Sequence, residues 1–224
     1  MKLLAIDTSS DACSVALQVG ENISEEHVVE PREHTRILLP MIEQLLQDAD
    51  VDLSNLDAVV LGNGPGSFIG MRIGASVAQG ICYGAGLKIA PVSSLAAIAA
   101  EVIEAHGAEM VLVAQDARMH EVYLGRFRRD ADDLPLASGD EEIRRIGALD
   151  DLDEKYVVAG GAWQKFPELL AENLDWISEN VEIDVPRARH LLRSGARALE
   201  NGGAIAPDAL LPSYIRVKVA EKPT

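Results

Sequence analysis

The sequence predicts a two-lobed α/β protein, and three observations carry that expectation. Apolar stretches of strand and helix period alternate over the first half in the order βββαβαβα. A strand ending in Asp, a short polar turn and a second strand, Leu4-Ala-Ile-Asp7-Thr8 followed by Ser14-Val-Ala-Leu17, returns as Val113-Ala-Gln-Asp116-Ala117 followed by Glu121-Val-Tyr-Leu124. With 224 residues, 48% of them hydrophobic, the chain is long enough to bury one large core or two smaller ones.

Residues 2–7 and 12–19 read as strands joined by Thr8-Ser-Ser-Asp11, and 23–29 completes a meander. Residues 31–48 read as a helix, because Leu38, Met41, Ile42, Leu45 and Leu46 recur at helical spacing. Pro40 lies inside that pattern and predicts a bend or one lost backbone bond. Strand 57–62, helix 69–85, strand 87–92 and helix 94–105 follow, the last capped by Ser93 or Ser94. This places a first lobe at 1–105 and a smaller second lobe at 106–224. Within the second, 130–155 carries ten acidic residues and reads as a solvated excursion. Residues 156–161 read as a strand running into a glycine turn, with helices near 163–172 and 187–200. Residues 211–216 are apolar enough to dock, and the last few residues read as a frayed end. The βββαβαβα order and its echo indicate ribonuclease-H-like lobes, the architecture of the actin, Hsp70 and sugar-kinase superfamily, with a degenerate second lobe.

The densest motif is Gly62-Asn-Gly-Pro-Gly-Ser-Phe-Ile-Gly-Met-Arg-Ile-Gly74, which follows the strand-like run Ala58-Val-Val-Leu61. Glycines at a helix start can cradle phosphate. However, the Walker Lys is missing, and residues 80–100 hold no Asp or Glu to complete a dinucleotide fingerprint. The alternative is close contact. Gly70, Gly74, Ala78 and Cys82 recur every fourth residue, with Ala75, Ser76, Gly80, Gly84 and Ala85 alongside. Each glycine inside a helix costs about 1 kcal/mol relative to Ala, which implies a backbone approaching closely. Packing on the chain's own sheet and a subunit interface both remain open.

A formal charge of −16 and a pI near 4.6 argue against tight nucleic-acid binding by the chain alone and favour a basic partner surface. Cys13 and Cys82 stand in apolar surroundings without metal spacing and read as reduced, buried thiols. Asp7 interrupts any leader-like core and no run of 18 apolar residues occurs, so a soluble, cytoplasmic chain without membrane contact is expected.

Chemistry is sparse. Asp7 and Asp116 end their strands without the following glycine that lets a metal-bound phosphate approach, and read as structural caps. His27, His34, His106, His120 and His190 form no HxxxH pair, so no metal site is expected; His34 reads as a surface or capping residue and His120 as a turn residue. Gly66-Ser67-Phe68 lacks the nucleophile elbow, and Cys13 has no neighbouring base. No catalytic, cofactor-binding or metal-binding residue is expected.

Leu4-Ala-Ile-Asp-Thr-Ser9, Ala12-Cys-Ser-Val-Ala-Leu17, Leu38-Leu-Pro40, the Gly64 to Gly74 motif, Val92-Ser-Ser-Leu95 and Asp116-Ala-Arg-Met-His-Glu-Val-Tyr123 together closely resemble the bacterial TsaB (YeaZ) family. The likeness is specific through 2–124, loose over 130–205 and faint at Pro212-Ser-Tyr-Ile-Arg216. Ile69 and Thr35 depart from the family's usual Thr and Ser. The resemblance implies a non-catalytic subunit of the machinery that makes N6-threonylcarbamoyladenosine (t6A) in tRNA, at the adenosine beside the anticodon. It also implies pairing with a metal-binding, TsaD-like transferase joined by a TsaE-like ATPase, and homodimerisation when the partner is missing. ATP or ADP and metal then belong to the partners or to the junction, none to this chain alone, and tRNA is met only through the complex.

Helices 34–48 and 69–85 are the expected interface, with Leu38, Leu39, Ile42 and Leu45 as bulk. Gly70, Gly74 and Ala78 would let backbones close, beside Met71, Ile73, Val77 and Ile81. On that expectation Gly74→Leu abolishes pairing and spares the fold. An independent ATPase or kinase, inactivated by Asp7→Ala, is the competing reading; a metal-dependent peptidase is the third.

Overall fold

Each half of the chain builds one sheet, and the two sheets share one strand order. The computed structural model describes residues 1–213 and 215. β1 (Lys2–Asp7), β2 (Ala12–Val19), β3 (Asn22–Val29), β4 (Ala58–Gly62) and β5 (Lys88–Val92) form the first sheet, in the order β3-β2-β1-β4-β5. The second takes β6 (Met110–Arg118), β7 (Glu121–Arg129), β8 (Pro135–Ala137), β9 (Glu142–Arg145), β10 (Tyr156–Ala159) and β11 (Ile177–Asn180). Its order is β11-β10-β6-β7-β8, with β9 also on β7. Substituting β6 for β1, β7 for β2, β10 for β4 and β11 for β5 superposes one order on the other. The pairings agree too: β1/β2 and β6/β7 are antiparallel, whereas β1/β4, β4/β5, β6/β10 and β10/β11 are parallel. The echoed sequence is therefore a repeated lobe.

In the central strands of the first sheet, residues 3–6 of β1 and 58–61 of β4 are continuously apolar because both faces are covered. Alternate side chains point to opposite faces. Leu4, Ile6, Val59 and Leu61 meet the helices α1 (His34–Asp48) and α2 (Phe68–Ala85). Leu3, Ala5, Val60 and Ala90 meet the 3-10 turn Ala188–Leu191 and Leu192. Helix α3 (Ser94–His106) carries the chain to the second lobe, packing Leu95, Ile98 and Val102 on Val111, Val113 and Phe127. Helices α4 (Ala162–Lys165) and α5 (Pro167–Ala171) cover the far face, where Trp163 is buried among Leu112, Val122 and Val158. α6 (Leu192–Glu200) closes the order.

Three sequence expectations change. The boundary at 106 assigned everything beyond it to the second lobe, but residues 188–210 return to the first. A Cβ on Gly195 of α6 would come within 2.4 Å of Val60, and Ile205 exchanges backbone hydrogen bonds with Ile89 of β5. Segment 130–155 is no solvated excursion: β8 and β9 widen the sheet and Leu134, Leu149 and Leu152 are buried. Its acids are partly consumed by arginines, Asp151 taking Arg126 Nη2 at 2.7 Å and Glu142 taking Arg144 Nε at 2.9 Å. Pro167 divides the helix expected over 163–172 into α4 and α5. Of the expected docking tail, 214 and 216–224 lie outside the described residues.

Candidate functional site

Two surfaces qualify, a groove between α1 and α2 and a cleft between the lobes. Both are organised by the Asp7-Thr8-Ser9 turn. Asp7 Oδ1 accepts hydrogen bonds from the Ser9 backbone N–H and Ser9 Oγ, each at 2.8 Å, and Oδ2 accepts from Ser94 Oγ at 2.7 Å. Burial pushes this carboxyl up, against the pull of those donors. Ser94 Oγ also accepts from Gly64 N–H at 3.2 Å, which ties the glycine loop to the turn. Thr8 Oγ1 donates to the Gly70 carbonyl at 2.8 Å, and Ser67 N–H to the Ser9 carbonyl at 2.6 Å.

This turn explains the glycine motif. A Cβ on Gly66 would sit 2.1 Å from the Ser9 carbonyl oxygen, one on Gly70 2.0 Å from that of Thr8, and one on Gly74 2.5 Å from Thr8 Oγ1. The small face formed by Gly70, Gly74 and Ala78 thus serves the chain's own sheet. Ser67 caps α2 by accepting from Gly70 N–H at 3.2 Å, and Ser93 caps α3 from Ala96 N–H at 3.1 Å. Ile69, in the first turn of α2, displaces no cap.

Among the expected interface residues, Leu38, Ile42, Leu45, Gly70, Met71, Gly74 and Ala78 are buried within the chain. They shape the groove from beneath instead of presenting themselves to a partner. Leu39 is 49% exposed, and Ile73, Val77 and Ile81 are half-buried. The groove between the helices encloses about 380 Å³ and is lined by Thr35, Leu39, Ile69, Ile73, Ser76 and Val77. Ile69 is 69% and Tyr83 80% exposed. Ser76, Gly80 and Gly84 run along the outer face of α2, and nothing among the described residues approaches within 4 Å of a Cβ built on either glycine. The four-residue spacing of Ser76, Gly80 and Gly84 was legible, but spacing does not say which small face turns inward. His34, expected at the surface, is buried, with Nε2 3.1 Å from the Ala12 carbonyl.

The cleft is a cavity of about 590 Å³. Ser9, Ser10 and Pro65 face it from the first lobe and Gln115, Asp116 and Lys165 from the second. Asp116 Oδ2 accepts from Lys165 Nζ at 2.6 Å and lies 3.2 Å from Arg118 Nη1, while Oδ1 accepts from the Arg118 N–H at 2.8 Å. Burial opposes ionisation, but the Lys165 ammonium and these neighbours hold the Asp116 carboxyl below the usual range. The β6–β7 hairpin turns through Arg118, Met119 and His120, all at positive φ (64°, 56° and 59°), where Asn-Gly is the favoured pair. His120 is the turn residue expected. Among the described residues no three His, Cys, Asp or Glu side chains converge as a metal set, and no helix is long and apolar enough to cross a membrane.

A family model described as "TsaD: tRNA N6-adenosine threonylcarbamoyltransferase" matches residues 28–221. The tRNA threonylcarbamoyladenosine biosynthesis protein TsaB of Escherichia coli K12 is 34% identical, covering 99% of this chain and 97% of its own length. The Haemophilus influenzae protein of the same description is 45% identical, covering 99% and 96%. Among solved structures, YeaZ from Pseudomonas aeruginosa is 33% identical with a TM-score of 0.85, covering 95% of this chain and 99% of that one. A second Pseudomonas aeruginosa structure, described as an uncharacterized protein similar to peptidase YEAZ, is 34% identical with a TM-score of 0.87, covering 96% and 99%.

Proposed function

The chain belongs to the TsaB (YeaZ) family of tRNA threonylcarbamoyladenosine biosynthesis proteins, and from that premise we propose that it serves t6A synthesis as a non-catalytic subunit, docking a TsaD-like transferase on the outer face of α2. One observation carries this reading. Gly80 and Gly84 stand in open space inside a helix, where each costs about 1 kcal/mol relative to Ala, and nothing among the described residues uses their smallness. Exposed Leu39 of α1 and Ile69 and Tyr83 of α2 flank the stripe, and Arg72, which also lines the groove, is the one charged residue of α2, so the outer face is mainly apolar or small. Small residues at the crossing let two helices approach at the short end of the usual 8–10 Å range.

The non-catalytic part of the proposal rests on the two carboxylates that end β1 and β6, Asp7 and Asp116, each satisfied within the chain. On this reading a TsaE-like ATPase joins the pair, and two copies of this chain cover the same face when the transferase is missing. A charge of −16 leaves tRNA contact to the partners.

The test mixes the chain with the transferase, the ATPase, tRNA, ATP, threonine, bicarbonate as the source of the carbamoyl carbon, and the remaining pathway enzymes, and measures modified adenosine. Wild-type chain is expected to be required, with no product when the transferase is omitted. Val77→Asp, which puts a charge in the groove, is expected to abolish pairing and product while keeping the wild-type melting temperature. Product of equal yield without the chain would sink the proposal; normal pairing by Val77→Asp would move the interface off α2.

A further inference from the structure

Where the chain returns to the first lobe, it crosses a closed cluster of charged side chains that the proposed function leaves unused. His190, in the 3-10 turn Ala188–Leu191, lies against α3 with its side chain only 9% exposed. Its two ring nitrogens face two carboxylates three residues apart on that helix. Nε2 stands 3.6 Å from Glu101 Oε2, and Nδ1 stands 3.3 Å from Glu104 Oε2. Glu101 Oε2 is buried and has no hydrogen-bond partner among the described residues. From β3, Glu25 accepts from the Arg187 guanidinium and from the Arg189 backbone N–H, and Ser14 Oγ of β2 accepts from the Ala188 N–H at 2.8 Å. Burial and the Arg187 guanidinium push the His27 imidazole of β3 down, so it adds no charge at neutral pH.

A neutral imidazole carries one N–H and one lone pair, so it serves one of these carboxylates and turns its lone pair on the other. Three carboxylates, Glu25, Glu101 and Glu104, also stand against two guanidiniums, Arg187 and Arg189. A single added proton fills that deficit of positive charge. Burial pushes the Glu101 carboxyl up and the His190 imidazole down, which favours the carboxyl as its resting place.

We propose that Glu101 is a neutral, protonated acid in the folded chain and that its proton latches the return turn Ala188–Leu191 to α3. The acid O–H donates to His190 Nε2, and the His190 Nδ1–H donates to Glu104, whose side chain is 64% exposed. Loss of the proton leaves an unpaired carboxylate in a closed seam and loosens the turn that covers Leu3, Ala5, Val60 and Ala90. The latch lies on the opposite face of the first sheet from α1 and α2, so it does not depend on the pairing proposed above. In the unfolded chain the two groups titrate near 4.5 and 6.5. Between those values the unfolded pair binds one proton on the imidazole and the folded pair binds one on the carboxyl, so the pair's contribution to stability is level. Above 6.5 the unfolded pair is empty while the folded pair keeps its proton, so stability falls as pH rises, by up to about tenfold in the folded-to-unfolded ratio per pH unit. Below 4.5 the unfolded pair takes a second proton, and stability falls as pH falls.

The experiment is nuclear magnetic resonance on the full chain labelled with carbon-13 and nitrogen-15. At pH 7 the Glu101 carboxyl carbon is expected at the shift of a protonated acid, and the His190 ring as the neutral tautomer with its proton on Nδ1. An ionised Glu101 carboxyl at pH 7 overturns the proposal, and this measurement needs no variant. Hydrogen exchange then tests the latch at the His190 amide, which donates to the Arg187 carbonyl at 3.1 Å. Its protection factor in the wild-type chain is expected to drop at least tenfold between pH 6.5 and pH 8.5. Glu101→Gln keeps a donor for Nε2 that cannot ionise, so there the protection is expected to stay level over the same range. Protection that falls equally in both chains, or that stays level in the wild type, overturns the latch. If Glu101→Gln fails to fold, the carboxyl shift and the wild-type protection decide between the outcomes by themselves.

Discussion

Two glycine-to-alanine changes six residues apart on α2 should move stability in opposite directions. At Gly80 the new methyl meets nothing within 4 Å, so the helix gains the full propensity difference of about 1 kcal/mol. For a domain of this length that raises the melting temperature by roughly 2–4 °C. At Gly74 the same methyl would lie 2.5 Å from Thr8 Oγ1. That hydroxyl cannot swing away without releasing the Gly70 carbonyl it holds at 2.8 Å. Overpacking of this kind costs about 1–3 kcal/mol, which outweighs the propensity gain and leaves a net loss of about 1 kcal/mol. Gly74→Leu, whose larger side chain starts from the same contact, is expected to destabilise the chain more than Gly74→Ala does, so a loss of pairing in it would not isolate the interface. Pairing separates the two faces again. Gly80→Ala should weaken transferase binding at least tenfold, about 1.4 kcal/mol, while the chain itself grows more stable. Thermal melts and titration calorimetry measure both quantities on the same samples. A Gly80→Ala chain that is no more stable than wild type refutes the open-face argument. One that is more stable and pairs normally refutes the contact stripe.

Three further outcomes are expected. Burial raises the Asp7 carboxyl above its ordinary 3.8, so its contribution to stability falls as pH rises through the window above that value. Asp7→Asn should accordingly gain on wild type in denaturant midpoints taken from pH 4 to pH 7, and a difference that is flat with pH would refute this. Arg187→Ala removes the guanidinium that Glu25 Oε2 holds at 2.5 and 3.1 Å; the Glu25 side chain is only 6% exposed. Discounted for the exposed arginine, the loss is on the order of 2 kcal/mol in urea unfolding, and a change below a few tenths would show the pair to be idle. Burial pushes the Cys13 thiol up to about 12 and that of Cys82 to about 11, so iodoacetamide at pH 8 should leave both unlabelled in the native chain by mass spectrometry. Labelling at the rate of the denatured chain would contradict the burial argument.

Much of this fold was legible because its signals are local. The spacing of Leu38, Met41, Ile42 and Leu45 is a helix whatever it packs against, and Ser67 and Ser93 announce helix starts through their own hydroxyls. The repeat around Asp7 and Asp116 survives as pairing register, with Asp7 opposite Ser14 and Asp116 opposite Val122. What stayed hidden depends on contacts far apart in sequence. Periodicity reveals two small faces on α2, but only the position of Thr8 shows that Gly70 and Gly74 turn inward and Gly80 outward. The acids of 130–155 looked solvated because Arg126, which pairs with Asp151, lies 25 residues before it. Lys165 has no helical or strand neighbour that betrays its role; it reaches Asp116 across 49 residues.

The return of residues 188–210 to the first sheet has a consequence for synthesis. A ribosome delivers Leu3, Ala5, Val60 and Ala90 long before the Ala188–Leu191 turn that covers them. At about 5–20 residues per second, the roughly 100 residues between Ala90 and that turn take about 5–20 s. Throughout that interval one face of a nearly complete sheet stands uncovered while the second lobe is being made. The nascent chain then carries that apolar face to solvent until the Ala188–Leu191 turn arrives. The earliest strands are the last to be sealed, so release of the chain and completion of the first lobe become nearly one event.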